Sequence, residues 1–268
     1  MNIENAIIQA SKFLKKNNIY SFNLDSEILM SRAIKKDKKY LILNQKKQME
    51  YSELKHYQEL INKRASGKPI AYLTGNKNFW KYDFKVNENV LIPRPETELI
   101  VEQVLKLYKN KSKLRILDIG VGSGCIILSL LKEKKDFLGV GIDKSKKSLD
   151  VCNLNTLNLN LKNRLKLFNF NIDNFSYGKY DIIISNPPYI NKHKIKYLDK
   201  DVRNFEPRMA LNGGLDGISE IRKVIIKSSE LIKKNGKLFL EIGFDQKNKV
   251  KKILKKNGFK IDKVLKDL

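Results

Sequence analysis

From residue 115 onward, short apolar runs alternate with longer stretches whose apolar residues recur at helical spacing, and this alternation limits the possible folds more than any other feature. Residues 115–119, 138–142, 165–168, 181–185, 237–242 and 260–265 have the length and β-branched content of strands. Residues 124–134, 145–155, 219–233 and 246–257 read as helices between them. A strand reaches a parallel neighbour only through a crossover, so the pattern predicts a mostly parallel sheet covered by helices on both faces.

The first 75 residues lack this alternation. Residues 3–16, 25–35, 39–43 and 51–66 read as helices, the second carrying Ile28, Leu29, Ala33 and Ile34 on one face and the fourth Leu54, Tyr57, Leu60 and Ile61. Gly67 and Pro69 stop the fourth. Over 71–92 the composition turns aromatic and β-branched around Gly75 and Asn76, which predicts a hairpin bridging two domains. After Pro93-Arg94-Pro95 a further helix is expected over 96–108, with Glu96 and Glu98 at the positive end of its dipole.

Composition excludes several classes. No apolar run approaches the ~18 residues of a spanning helix, and residues 1–18 form an amphipathic pattern without a small-residue cleavage site, so a cytoplasmic protein with no membrane partner is expected. Cys125 and Cys152 fall on helices as small buried side chains, and His56 and His193 lie in unrelated contexts, so no metal site is expected. Lys and Arg total 54 against 29 Asp and Glu, a net charge of +25 that attracts polyanions. Of those basic residues 46 are Lys and 8 are Arg, beside 27 Asn, which is a compositional drift rather than an Arg-based footprint, and no specific nucleic-acid partner is expected.

Two stretches carry chemistry. In Asp118-Ile119-Gly120-Val121-Gly122-Ser123-Gly124 a buried strand runs into three glycines and then a helix, where backbone can approach a ligand with no Cβ between; a structural tight turn would use the same residues. The next strand ends at Asp143, placed to accept both hydroxyl hydrogens of a ribose or to cap the helix near Ser145. Dinucleotide enzymes usually space these glycines as GxGxxG to seat a pyrophosphate. The different spacing here, with Asp118 before the turn, suits a ligand with an amino-acid portion.

The second stretch is Ser185-Asn186-Pro187-Pro188-Tyr189-Ile190, directly after the fourth strand. Neither proline has an N–H, so the Asn186 side-chain oxygen and the Pro187 carbonyl present acceptors to whatever enters. A planar NH₂ group fits them, and the Tyr189 ring could lie against such a group and the positive charge that develops on its nitrogen; an N-P-P turn with Tyr189 in the core is the structural alternative.

From Leu114 onward the chain resembles a class I S-adenosylmethionine-dependent methyltransferase, and nearly the whole chain resembles the protein-(glutamine-N5) methyltransferases that modify peptide chain release factors. The resemblance rests on Leu91-Ile92-Pro93-Arg94-Pro95-Glu96-Thr97-Glu98, the glycine loop, Asn186-Pro187-Pro188-Tyr189-Ile190, and residues 205–217. It implies a Rossmann-like sheet (94–268), a small all-helical substrate-recognition domain (1–75), a hairpin linker (76–93), and a monomer. It further implies that S-adenosylmethionine is held by Gly120, Val121, Gly122, Ser123, Gly124, Asp143 and Asn186, and that Asn186, Pro187, Pro188 and Tyr189 receive a release-factor glutamine entering between the domains, with Asn186, Pro187 and Tyr189 catalytic. For Arg94, Glu96, Glu206 and Arg208 it suggests framing of the pocket, which surface ion pairing would explain equally. Asn-Pro-Pro-Tyr alone is shared with methyltransferases of nucleic-acid bases, and a related family modifies a ribosomal-protein glutamine; both are alternatives. Two departures stand out: Asp173-Asn174-Phe175 lies where relatives often carry an apolar residue near adenine, and relatives usually continue beyond residues 266–268 into a last strand beside its predecessor.

Overall fold

The computed structural model describes residues 1–266, in two compact units: Met1–Asn76 with Asp199–Phe205, and Lys77–Leu198 with the chain from Glu206 onward. Asp267 and Leu268, the end of the expected methyltransferase domain, lie outside the described residues.

The first unit is built from helices α1 (Ile3–Lys16), α2 (Phe22–Ile34), α3 (Lys38–Leu43), α4 (Tyr51–Ala65) and α5 (Ile70–Thr74). The Asn2 side chain accepts from the Asn5 N–H at the start of α1, and Glu50 with Glu53 forms a capping box on α4, so orphan amides at both N-termini are satisfied. Leu14, Leu29, Met30 and Tyr57 are buried between α1, α2 and α4, and the Tyr57 hydroxyl donates to the Ser26 carbonyl at 3.1 Å. One ion pair lies inside: Asp25 Oδ2 accepts from Arg64 Nε at 2.6 Å and from Ser21 Oγ at 2.7 Å.

The hairpin differs from expectation in two ways. Gly75 ends α5 rather than forming the hairpin turn, and the strands are β1 (Asn76–Phe79) and β2 (Tyr82–Lys85), turning at Trp80-Lys81 with Trp80 left-handed at φ 58. That conformation is unfavourable for a bulky residue and is held by distant partners: the Trp80 N–H donates to Glu98 at 2.7 Å and its indole N–H to Glu133 at 3.0 Å. Local turn preferences contain no such information. Nor does the hairpin stand apart as a bridge, since Phe79 and Phe84 are buried in the core of the second unit.

In that unit α6 (Glu98–Leu107), β3 (Arg115–Ile119), α7 (Cys125–Glu133), β4 (Leu138–Asp143), α8 (Lys146–Asn158), β5 (Leu165–Asn169) and β6 (Tyr180–Ser185) come first. The short α9 (Lys200–Phe205) belongs to the helical unit; α10 (Arg208–Leu211), α11 (Ser219–Leu231), β7 (Ile232–Leu240) and α12 (Lys247–Lys256) follow. The sheet is parallel, in the order β5-β4-β3-β6-β7. Successive side chains of β3 enter opposite layers: Ile116 packs with Ile127, Leu130 and Ile182, Leu117 with Val140, Ile183 and Val224. Both faces of the inner strands β3, β4 and β6 are covered, which explains why they read as largely apolar runs.

The expected strand over 260–265 is not formed. A strand exists only by bonding to a neighbour, and among the described residues none lies beside β7 on its outer side. Phe259 instead packs beside Ile253 and Leu254 of α12 on the cluster of Ile218, Ile221 and Val250.

Candidate active site

Three strand ends converge on one cavity. β3 opens into Gly120, β4 ends in Asp143 and β6 opens into Asn186, and the order of strands reverses between β3 and β6, where open α/β sheets leave a crevice. The crevice holds about 1090 Å³, counting space continuous with solvent, and Gly120, Val121, Gly122 and Ser123 form one part of its wall. Asp143, Asn186, Pro187 and Pro188 form another.

The glycine loop is fastened to β4. The N–H groups of Gly120 and Val121 both donate to the Ile142 carbonyl, at 2.9 and 3.0 Å, and that of Gly122 donates to Asp143 Oδ2 at 3.0 Å. Asp143 Oδ1 accepts from Ser145 N at 2.9 Å; burial raises its carboxyl above the usual range, and these two N–H groups oppose the shift. Asp143 therefore lies on the cavity wall and braces the glycine loop, while α8 is capped not by Asp143 but by Ser145, whose side chain accepts from the Ser148 N–H. Gly120 has φ +78 and no atom within 4 Å of where a Cβ would stand, so the space is left to a ligand. Gly124 differs from the expectation: it caps α7, is off the wall, and a Cβ there would lie 2.6 Å from Cys152 Sγ, so it serves close packing of α7 on α8. Asn155, which the sequence did not single out, ties the loop down by donating to the Ser123 carbonyl at 2.9 Å.

Asp118 is buried with neither carboxylate oxygen hydrogen-bonded. Burial, and secondarily the charge of Asp143, pushes its carboxyl up to about 8; the Ile127 N–H near the start of α7 opposes this without closing a hydrogen bond. It lies behind the wall rather than on it, so it would act on a ligand's ammonium through the loop and not by direct contact. An orphaned acid, open space over Gly120 and a carboxylate at the end of the next strand fit the amino-acid and ribose portions of S-adenosylmethionine. Phe170, Asn171 and Ile172, which the sequence did not single out, line the cavity, whereas Asp173 turns to Lys223 at 3.5 Å and Phe175 is buried in the core.

Asn186 is positioned from both neighbours in the sheet. Ser185 Oγ donates to the Ile119 carbonyl at 2.7 Å, locking the end of β6 to β3. Asn186 Nδ2 donates to Thr97 Oγ1 at 3.2 Å, and Thr97 Oγ1 donates to Glu241, just past β7, at 2.8 Å. Tyr189 departs from expectation: its ring is not on the cavity wall but packs on Ile218, Ile221 and Val250, and its carbonyl accepts from Gln246 Nε2 at 2.8 Å. Gln246 also donates to the Gly217 carbonyl, and a Cβ on Gly213 would stand 2.8 Å from the Pro188 carbonyl, so residues 213–217 form the shelf beneath the prolines. Arg94, on the wall, pairs with the buried Glu206, which also accepts from Ile92 N at 3.2 Å; Glu96 and Arg208 are exposed and off the wall. Among the described residues no cluster of His, Cys, Asp and Glu could hold a metal ion, and no helix is long and apolar enough to cross a membrane.

Residues 5–75 match the family model described as PrmC N-terminal domain, and residues 95–203 match Methyltransferase small domain. The chain is 39% identical to a release factor glutamine methyltransferase of Clostridium acetobutylicum over 97% of its own length and 92% of that protein. It is 34% identical to one of Caulobacter vibrioides over 95% and 89%. The chain belongs to the release factor glutamine methyltransferase family. As a member it is an S-adenosylmethionine-dependent enzyme. Its sheet is also that of a ribosomal protein L11 methylase from Lactobacillus delbrueckii subsp. bulgaricus, with a TM-score of 0.50, 17% identity, and coverage of 68% of this chain and 78% of that one, a likeness of fold alone.

Proposed function

We propose that this family member methylates the side-chain amide nitrogen (N5) of the glutamine in the Gly-Gly-Gln motif of class I peptide chain release factors. The observation that carries the reading is a single cavity whose wall joins the glycine loop to Asn186, Pro187 and Pro188, so a cofactor site and an NH₂ site share one space. The relatives named for release-factor glutamine methylation at 39% and 34% identity support the choice of acceptor.

When bound, the cofactor supplies an electrophilic methyl on a sulfonium. Gly120 leaves room for its amino-acid end and Asp143 accepts from its ribose hydroxyls. Asn186 Oδ1 and the Pro187 carbonyl accept the two hydrogens of the glutamine amide, fixing the nitrogen and its approach line. No base need remove a proton first: both protons stay on the nitrogen, hydrogen-bonded to these two oxygens, while the methyl moves from sulfur to nitrogen, and the cationic amide then loses one of them to solvent. The helical unit is assigned to substrate recognition, and the protein is assigned to the cytoplasm as a monomer without a specific nucleic-acid partner, in keeping with basic charge carried by Lys rather than Arg.

The test incubates the full chain with methyl-labelled cofactor and intact release factor, with a ribosomal protein and a nucleic acid in parallel. Label is expected on the Gly-Gly-Gln glutamine and lost when that residue is replaced; label that persists after replacement overturns the reading.

A further inference from the structure

Thr97 is buried at the N-terminus of α6, where a threonine hydroxyl ordinarily accepts from a backbone N–H of the first turn. Here it makes no such bond. Its oxygen instead lies between Asn186 Nδ2 at 3.2 Å and Glu241 Oε2 at 2.8 Å. The Thr97 hydroxyl donates to Glu241 Oε2, and because a hydroxyl has only one proton to give, its oxygen is left to accept. The partner on its other side must then be a donor. A carboxamide has one donating and one accepting end, and the two are nearly equal in shape. Only the NH₂ end of Asn186 satisfies Thr97, which leaves Oδ1 for an incoming amide.

We infer that Thr97 and Glu241 are positioning residues that set which end of the Asn186 carboxamide faces the cavity. The inference rests on the proposed N-methylation, because only an acceptor bearing NH₂ makes the orientation matter. With the relay intact Oδ1 meets the substrate's hydrogens; with it removed Asn186 can turn its own NH₂ toward the substrate NH₂, donor against donor.

The experiment compares wild type, Thr97→Val, Thr97→Ser, Glu241→Gln and the double variant T97V/E241Q as full chains, measuring kcat and KM on intact release factor and cofactor affinity by calorimetry. Thr97→Val keeps the shape and removes the oxygen; kcat should fall about tenfold to a hundredfold, the range expected for one lost orienting hydrogen bond, with cofactor affinity held within about twofold. Thr97→Ser, which keeps the hydroxyl, should recover most of the loss. Glu241→Gln can reverse the direction of the chain, so it should lower kcat alone but add nothing on top of Thr97→Val. A Thr97→Val enzyme with wild-type kcat, or losses that simply add, overturns the relay. A second readout separates the relay from the reaction: in full-length protein labelled with ¹⁵N-asparagine, the Asn186 side-chain NH₂ should show an NOE to the Thr97 methyl that Thr97→Ser abolishes and a shift that Thr97→Val changes. If wild type shows that NOE yet leaves the release factor unmethylated, the proposed function fails and the relay stands; if the NOE is missing in wild type, the relay fails whatever the activity.

Discussion

Each unit buries an aspartate, and the two are treated in opposite ways. Asp25 in the helical unit is enclosed with a guanidinium and a hydroxyl on the same carboxylate oxygen, while Arg64 also reaches the Lys68 carbonyl. Asp118 in the sheet unit has no hydrogen-bond partner for either oxygen. The first arrangement completes a core: removing one partner would strand a buried charge. The second costs stability and gains none within the chain, which is the pattern of a group kept for a ligand. The helical unit pairs its buried aspartate for folding, whereas the sheet unit leaves Asp118, near the carboxyl end of β3, unpaired.

Four substitutions sharpen this contrast. Asp25→Ala leaves Arg64 buried without a counter-charge and should destabilise by about 3–5 kcal/mol, read from urea unfolding. Asn186→Ala should lower kcat/KM on release factor by about 10²–10³, comparable with deleting one transition-state hydrogen bond, and leave the urea midpoint unchanged. Asp118→Asn tests the orphan. Its carboxyl is raised to about 8 in the folded chain and is ordinary when unfolded, so the folded state holds the proton longer. That contribution is complete below the ordinary carboxylate pKa and is lost as pH rises through about 8. Wild type without cofactor should therefore lose stability relative to Asp118→Asn by at most about 1.4 kcal/mol per pH unit between those limits. Equal melting profiles for the two from pH 5 to 9 would contradict the raised carboxyl. Smallest, Gly120→Ala should cost about 1 kcal/mol of stability through its positive φ, yet weaken cofactor binding by more than that strain explains, since the added methyl enters the cradle.

Much of this was legible in the sequence, and the limits have physical reasons. The apolar runs located the inner strands β3, β4 and β6, which are buried on both faces, and overlapped the edge strands β5 and β7, where exposed Lys166, Lys233 and Asn235 break the signal. The glycine loop, Asp143 and Asn186 were visible because each has a local requirement: no Cβ, a carboxylate at a strand end, an amide before two prolines. What stayed hidden depends on pairing across the fold. The Trp80 turn is held by Glu98 and Glu133, and Asn186 is oriented by Thr97 and Glu241. Tyr189 was assigned to the substrate because its ring chemistry suited an amide, but the ring packs on Ile218, Ile221 and Val250, distant residues that spacing does not reveal. The expected strand over 260–265 failed because alternation reports a willingness to pair and not the presence of a neighbour.

The two prolines after Asn186 have a consequence for fidelity. With no N–H on either, the site proposed for the substrate presents two acceptors at this point, an amide oxygen and a carbonyl. A glutamine that has hydrolysed to glutamate would bring two negative oxygens to this surface with no hydrogen to offer. Under the proposed function, such a side chain would give these two acceptors no hydrogen to hold.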